Sequence, residues 1–427
     1  MDAFVYVVIG LSFLLLLTGM PLAIGFACTS LAVALTVMGL PLQSVAGFAF
    51  NSINSFPLLA CPFFILAGNL LLVSGGATPV RDFLVTWFGH VTGGLAVSGF
   101  VIGAFLGAVS GSSTACLAIM GAVLLPIMVS AGYDRPFSAA VCLTSAELGW
   151  LIPPSLGFIL FGALTHISIP DLFLGGLPAG VITMLFMSIT GIFIARRRKY
   201  PLAPRATWKV RGRTFVAASP MLLMPVVILG GIYGGIFSPT ESAAIACLYT
   251  LLLGVFFYRQ TSWKQVRDAL LATLKITSMI YFIIVGAELF SKMVTFVRLP
   301  QALTEVVLAL QLGPNSFLVV VSIFLLVVGF FFSSIAMIIV ILPLFIPTVN
   351  MLGIDPVFYG VVAMMSTCIG EITPPMGPQL WFAEPICKVS MADMAHESWV
   401  FLAAMTVPIF IVIYIPNLVM FLVNWWR

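Results

Sequence analysis

Long, continuous apolar stretches recur along the whole chain, and each predicts a helix of membrane-crossing length. A bilayer core about 30 Å thick is crossed by about 20 apolar helical residues. Continuous apolar runs favour helices over barrel strands, in which lipid-facing and lumen-facing side chains alternate. We predict spans at 4–18, 20–38, 54–73, 136–165, 172–194, 215–236, 239–258, 268–290, 356–386 and 397–424. Residues 77–93 and 298–312 mix charged with apolar positions and predict interfacial helices.

Two further apolar blocks, 94–130 and 316–349, are too long for one crossing. Each carries a polar interruption near its middle, SGSS at Ser110–Ser113 and the pair Ser333–Ser334. Non-helical backbone at membrane depth is tolerated where protein buries it or where it lines a water-filled cavity. Both blocks therefore predict re-entrant hairpins that enter and leave on one side, with their tips at mid-depth.

Two of the predicted spans carry prolines where a membrane helix can least accommodate them. The sequence GWLIPP (Gly149–Pro154) lies within 136–165, and GEITPP (Gly370–Pro375) lies within 356–386. Proline has no N–H, so each one removes a helical hydrogen bond. Hydrocarbon supplies no water to replace that bond. We therefore predict two broken helices.

Composition supports an all-α integral membrane protein and excludes several kinds of site. Of 427 residues, 61% are hydrophobic and 7% are charged, against about 25% charged residues in soluble proteins. The seven cysteines form no C-x-x-C pair, and the three histidines lie far apart, so neither a disulfide framework nor a histidine metal centre is indicated. No basic region precedes the first apolar run, which argues against a cleaved signal peptide.

Positive charge is concentrated in one loop, and this predicts the orientation of the chain. Eight of the eighteen lysines and arginines lie between Arg196 and Arg213. Basic loops remain cytoplasmic, so this loop is predicted inside and both termini outside. In an apolar membrane chain, a basic loop indicates membrane orientation, so no nucleic-acid partner is predicted.

The chain contains an internal repeat at a shift of 221 positions. The shift places GWLIPP on GEITPP. It also places Ser112 on Ser333, Ser113 on Ser334, Pro126 on Pro347, Gly132 on Gly353, Asp134 on Asp355, Phe137 on Phe358 and Ser145 on Ser366. The basic loop at 259–267 corresponds to the uncharged stretch 38–46. One of these lies inside and the other outside, so we predict inverted repeats.

The predicted organisation is two repeats joined by a basic cytoplasmic linker at 196–214. Repeat 1 covers 1–195 and repeat 2 covers 215–427. Each repeat contributes scaffold helices, one hairpin (94–130 or 316–349) and one broken helix (136–165 or 356–386).

Paired broken helices indicate an ion and substrate site near the bilayer midplane. Carbonyls freed by each proline pair, together with serine or threonine hydroxyls, suit a hard cation such as sodium. The first sodium site is predicted at Ser110, Ser112, Gly149, Ile152 and Pro154. The second is predicted at Ser333, Gly370, Thr373 and Pro375. Helix N-termini after the tips favour an anion, so substrate is predicted near Ser112, Ser113, Ser333 and Ser334, with Pro154 and Pro375 beside it.

Less specific interpretations of these residues stay open. A proline in a membrane helix is often only a bend, and a serine pair often bonds its own backbone or a neighbouring helix. Glu147 and Glu371 flank the breaks, where they can serve sodium or a proton, face a vestibule, or pair with a scaffold arginine. Glu241, after Pro239, is predicted to cap its helix.

Six motifs resemble the large membrane subunit of tripartite ATP-independent periplasmic (TRAP) transporters. They are TGMPLAIGFA (Thr18–Ala27), FPLLACPFFILAGNLL (Phe56–Leu71), SGSSTACLAIMGAVLLPIM (Ser110–Met128), LIPPS (Leu151–Ser155), GGIYGGIFSPTESAA (Gly230–Ala244) and ITPPMG (Ile372–Gly377). The resemblance implies an elevator-type secondary transporter of a bacterial inner membrane, driven by a sodium gradient. It also implies two partners, a small membrane (Q) subunit and a periplasmic substrate-binding (P) protein that delivers an organic acid.

The cargo and the coupling ion have open alternatives at this point. C4-dicarboxylates, sialic acid, other sugar acids and sulfonates all fit the resemblance. A proton-coupled carrier, an anion carrier without a binding protein, and an ion channel are the competing functions. An enzyme is not predicted, because Ser112 lacks both a histidine at helical spacing and a G-x-S-x-G setting.

Overall fold

The computed structural model describes residues 22–36, 39–202, 204–296 and 298–427, and every regular element in these ranges is a helix. Within them, nine helices are long and apolar enough to cross a membrane. These are Phe56–Ser74, Ser113–Ser130, Arg135–Thr165, Ile169–Arg197, Trp208–Tyr233, Pro239–Phe257, Trp263–Phe296, Ser334–Met351 and Met391–Tyr414. The other helices are Leu22–Thr36, Leu42–Ile53, Ala77–Phe88, Gly94–Ser110, Leu299–Ala309, Pro314–Val328, Pro356–Glu371, Pro378–Cys387 and Asn417–Trp426.

Most predicted spans are confirmed to within a few residues, with two corrections. The helix Leu42–Ile53 was not predicted, because it is only 12 residues long and polar residues interrupt its apolar positions. The span predicted at 397–424 is wrong as one helix: Met391–Tyr414 ends before Pro416 and a second helix, Asn417–Trp426, follows. The prediction at 4–18 lies outside the described residues.

Both predicted hairpin blocks consist of two helical arms with a short break between them. Helix pair 1 comprises Gly94–Ser110 and Ser113–Ser130. Helix pair 2 comprises Pro314–Val328 and Ser334–Met351. The second break runs over Gly329–Ser333, three residues longer than the two-residue break in pair 1. Re-entry from one side of the membrane stays a prediction.

The two proline-containing spans are interrupted where the sequence predicts. Broken helix 1 consists of Arg135–Leu151 and Leu156–Thr165, and broken helix 2 consists of Pro356–Glu371 and Pro378–Cys387. Both proline pairs contain a cis peptide bond. In broken helix 2 the Asp355 side chain accepts a hydrogen bond from the Val357 N–H at 2.8 Å and caps the helix.

Each broken helix crosses the first arm of its helix pair at a contact between glycines. A Cβ placed on Gly149 would lie 2.5 Å from the Gly107 Cα, and one placed on Gly329 would lie 2.5 Å from the Gly370 Cα. Only glycines allow backbones to approach this closely, as in other membrane helix packings. These contacts hold each helix break beside its own pair.

A second group of helices surrounds Phe56–Ser74, whose Gly68 packs closely against the Ser110 backbone of helix pair 1. Asn69 donates a hydrogen bond to the Thr273 hydroxyl at 2.9 Å, and Tyr281 donates to the Leu58 carbonyl at 3.1 Å. At the start of Pro239–Phe257, Ser238 and Glu241 form a reciprocal capping box, which confirms the predicted role of Glu241. We call Leu22–Ser74 together with 208–296 the scaffold group, and 94–197 together with 314–426 the break-bearing group.

Ion clusters fix the starts of both broken helices. At broken helix 1, Arg198 contacts Asp134 at 3.2 Å and Glu397 at 2.8 Å. The Tyr200 hydroxyl donates to the Asp134 carboxylate at 2.5 Å, and burial together with this hydrogen bond raises the pKa of Tyr200 to about 12. At broken helix 2, Arg427 contacts Asp171 at 3.0 Å and Asp355 at 2.7 Å, and the Asp355 cluster thus mirrors the Asp134 cluster in the repeat.

Candidate functional site

The first helix break, tip 1, is the Gly111–Ser112 turn of helix pair 1. Gly111 has a φ of 61°, a conformation that glycine adopts without strain. The Ser112 Oγ accepts a hydrogen bond from the Ala115 N–H at 3.4 Å and so starts the second arm. The buried Ser110 Oγ donates to the Ser112 carbonyl at 3.2 Å. These bonds place Ser112 and Ser113 at a helix N-terminus.

Tip 1 lies against the break in broken helix 1. A Cβ on Gly111 would be 3.2 Å from the Leu156 Cβ. The proline pair supplies no N–H to the carbonyls of Gly149 and Trp150. The Ser155 hydroxyl donates to the Trp150 carbonyl at 2.6 Å. The Gly149 carbonyl is therefore the oxygen without a helical donor, which is what a sodium ligand requires.

The second break, tip 2, is Gly329–Ser333 of helix pair 2. Ser333 caps the second arm by accepting a hydrogen bond from the Ala336 N–H at 3.5 Å. The neighbouring Ser334 hydroxyl donates to the Glu371 carboxylate in a short hydrogen bond. Tip 2 is thus tied to broken helix 2 through side chains, and the described residues contain no equivalent bond at tip 1.

Thr373 organises the break in broken helix 2. Its hydroxyl donates to the Ile369 carbonyl at 2.5 Å, and its N–H donates to the Gly370 carbonyl at 3.1 Å. The Gly370 carbonyl therefore has a donor, in contrast to that of Gly149. The Thr373 hydroxyl oxygen keeps a lone pair for a cation. The two breaks thus differ by more than the exchange of Ile152 for Thr373.

The two breaks also differ in how open they are. Pro153 and Pro154 are buried, whereas Pro375 is exposed. A mostly apolar cavity of about 460 Å³ reaches the second break, with Thr373 and Trp399 in its lining. The second break is therefore accessible from this cavity.

The predicted site residues divide into two sets, one beside each broken helix. Ser110, Ser112 and Gly149 lie around the first break, while the Ile152 side chain packs against Gly180, so only its carbonyl is available as a ligand. Among the described residues, no hydrogen bond joins the serines of tip 1 to those of tip 2. The same part of the chain has no cluster of three or more His, Cys, Asp or Glu that suits a metal.

Glu147 and Trp150 of broken helix 1 lie near Glu371 of broken helix 2. Glu147 is fully buried, and neither carboxyl oxygen has a hydrogen-bond partner. It lies close enough to Glu371 for their charges to interact. The Trp150 indole N–H lies beside the Glu371 carboxylate without reaching hydrogen-bond geometry. Both glutamates were candidates from the sequence, but Ser334, not an arginine, is the partner of Glu371.

Gln379 and Thr114 are polar residues near the breaks that sequence reasoning missed. The Thr114 hydroxyl donates to the Gln379 Oε1 at 3.2 Å and joins helix pair 1 to broken helix 2. Gln379 is completely buried. The signal available in the sequence was an uncharged amide two residues after ITPPMG, in a segment with few polar residues.

Comparison with protein families gives one match over nearly the whole chain. Residues 9–418 match the family described as "Tripartite ATP-independent periplasmic transporter, DctM component". The C4-dicarboxylate TRAP transporter large permease protein DctM of Rhodobacter capsulatus is 34% identical over 432 residues and covers 98% of each chain.

Two further comparisons concern subunit composition and fold. The isethionate TRAP transporter permease protein DctMQ of Oleidesulfovibrio alaskensis is 32% identical, covering 97% of this chain and 66% of its own length. The solved structure of the YdaH transporter of Alcanivorax borkumensis matches with a TM-score of 0.64 at 14% identity, covering 90% of this chain and 91% of that one. At this identity the match establishes a shared fold.

Proposed function

We propose that this chain, which belongs to the DctM component family of tripartite ATP-independent periplasmic transporters, imports an organic acid anion together with sodium. The family match and the DctM relative confirm the resemblance seen in the sequence motifs. The family and the nine apolar helices among the described residues make the chain a multi-pass membrane protein. Its proposed location is the bacterial inner membrane, with both termini in the periplasm.

The observation that carries the proposal is the pairing of each helix break with a serine tip. At the first break, the Gly149 carbonyl lacks a helical donor beside Ser110 and Ser112. At the second, Thr373 lines a cavity that also reaches Phe330 of tip 2. Oxygen ligands without a fixed charge suit a monovalent hard cation, so these breaks support sodium coupling.

The arrangement of the two helix groups supports an elevator movement. The tips and breaks all belong to the break-bearing group, while the scaffold group is held together by its own hydrogen bonds. A movement of the first group against the second would carry sodium and substrate together. The substrate lies near the tips in this proposal.

Two protein partners follow from the family. We propose a small membrane subunit beside the scaffold group and a periplasmic binding protein that delivers the acid. The isethionate relative, which is named DctMQ and is longer than this chain, supports the membrane subunit. The names of the relatives differ in cargo, a C4-dicarboxylate in one and isethionate in another, and both are anions.

Uptake into proteoliposomes tests this function. The chain is reconstituted with a small membrane subunit of the same transporter system, and the binding protein is loaded with radiolabelled succinate, isethionate, N-acetylneuraminate or 2,3-diketogulonate. We expect uptake of one of these acids when an inward sodium gradient is imposed, and none with potassium.

Each competing function has its own signature in the same assay. Uptake that needs a proton gradient without sodium would establish proton coupling. Uptake without the binding protein would establish an independent carrier. A steady current that does not depend on the acid would establish a channel. Each of these results would contradict the proposal.

A further inference from the structure

The two polar side chains that link helix pair 1 to broken helix 2 occupy equivalent places. Thr114 is the second residue of the helix Ser113–Val123, and Gln379 is the second residue of Pro378–Cys387. The Thr114 hydroxyl donates to Gln379 Oε1 at 3.2 Å. The first turns of the two helices are therefore in direct contact.

These helices run parallel, so their N-termini lie side by side. Seven residues beyond Thr114, a Cβ on Gly121 would touch Ile386, which is seven residues beyond Gln379, and would approach Cys387. The first N–H groups of a helix have no intrahelical acceptor, and the aligned peptide dipoles add a partial positive charge there. Two such ends together favour a negative group between them.

Gln379 adds a donor that has no partner at this place. Gln379 is 0% exposed, and its Nε2 makes no hydrogen bond. A buried amide N–H without an acceptor destabilises the fold, so such a donor is retained where an acceptor arrives. An oxygen of a bound molecule would supply the acceptor that Gln379 Nε2 lacks.

The repeat shows that this donor exists in one half only. The shift of 221 positions places Ile335 on Thr114 and Gln379 on Phe158. The related positions in the other half are therefore both apolar. A substrate that meets both halves would bind its charged end beside Gln379 alone.

We propose that Gln379 Nε2, between the N-termini of Ser113–Val123 and Pro378–Cys387, binds the anionic head group of the transported acid. The head group is a carboxylate or sulfonate whose oxygen accepts the amide N–H. The assignment rests on the proposed function and adds to it a specificity-determining residue outside the predicted serine tips.

Binding measurements on purified protein test this assignment without requiring transport. The full chain, with its small subunit, is placed in lipid nanodiscs in sodium buffer. Calorimetry then measures the Kd of the four acids used for uptake. The variants are Gln379→Met, which removes the donor, and Gln379→Glu, which replaces the donor by a negative oxygen. Ser322→Ala is the control, because Ser322 is another buried side chain whose polar atom has no partner.

We expect Gln379→Met to weaken binding roughly 10- to 100-fold, the range for a hydrogen bond to a charged group. Gln379→Glu should weaken it further, while Ser322→Ala should stay within about twofold of the wild type. The sodium concentration for half-maximal binding should stay within about twofold in all variants. Thr114→Val, which removes the hydrogen bond that orients the Gln379 amide, should also weaken binding, though less than Gln379→Met, and it serves if a Gln379 variant is unstable.

Three outcomes are decisive. Wild-type binding with undiminished binding by both Gln379 variants would overturn this assignment alone. Tighter binding by Gln379→Glu would also overturn it, since the open amide atom would then be an oxygen that faces a cation. A wild-type chain that binds none of the four acids would overturn the proposed function and this assignment together.

Discussion

At the scale of single residues, the hydroxyl of Thr373 separates the second break from the first, where Ile152 stands in the repeat. The Thr373 hydroxyl donates its proton to the Ile369 carbonyl, so the lone pairs of the hydroxyl oxygen point away from this hydrogen bond and stay free for a cation. Because the Gly370 carbonyl already accepts the Thr373 N–H, the hydroxyl is the more available ligand at this break.

Replacing Thr373 by valine should therefore impair sodium use. We expect the sodium concentration for half-maximal uptake to rise about tenfold in Thr373→Val, and Thr373→Ser to stay near the wild type. Thr183→Val is a matched control, since Thr183 is buried and also donates to a carbonyl four residues earlier. Equal sodium dependence in Thr373→Val and Thr183→Val would show that Thr373 is not a ligand of the second sodium site.

Glu147 allows a second test at this scale. A buried carboxylate without partners is costly, and an apolar residue of similar size is often neutral or stabilising by about 1–4 kcal/mol. We expect Glu147→Met to keep or raise the melting temperature in detergent. Glu371→Met, which breaks the bond to Ser334, should lower it. A clear loss of stability in Glu147→Met would show that the Glu147 oxygens have a stabilising partner.

At the scale of helices, the glycine contacts hold the breaks against the helix pairs. Each contact brings a broken helix and a first arm together at backbone distance. Since a methyl group does not fit there, the contact sets how far each break lies from its own helix pair. The position of the Gly149 carbonyl depends on this spacing.

Alanine at Gly149 should separate the two helices. Its Cβ would lie 2.5 Å from the Gly107 Cα, so the backbones must move apart. We expect a loss of about 1–3 kcal/mol in unfolding free energy, the usual range for overpacking. Gly212→Ala, in a helix with open space around it, should be stabilising by about 0.5–1 kcal/mol. Equal stability of the two variants would refute the contact.

Local patterns predicted most of the helices, but long-range contacts lay beyond them. Apolar runs of membrane-crossing length predicted the spans, and the two proline pairs predicted both helix breaks. The helix Leu42–Ile53 was missed because its 12 residues are too few for the long apolar runs by which the spans were recognised. The bond between Thr114 and Gln379 joins residues 265 positions apart, which no local pattern encodes.

At the scale of the whole molecule, a cavity with polar and apolar residues in its lining lies where the two helix groups meet. Its volume is about 360 Å³, and its lining includes Asn51 and Lys292 of the scaffold group and His166 at the end of broken helix 1. Lys292 forms an ion pair with Glu288 at 3.2 Å. If the break-bearing group moves as a body, His166 must change its distance from Asn51 while Lys292 does not.

A cross-link across this cavity should therefore stop transport. The exposed Cys28 is first replaced by serine. The other cysteines in the described part of the chain are buried, so they are shielded from the cross-linker. In this background, Asn51→Cys with His166→Cys is joined by a short bismaleimide, and we expect uptake to fall at least tenfold while acid binding is retained. Asn51→Cys with Lys292→Cys joins two scaffold residues and should leave uptake within about twofold. Unchanged uptake after complete cross-linking of the first pair would contradict an elevator movement at this interface.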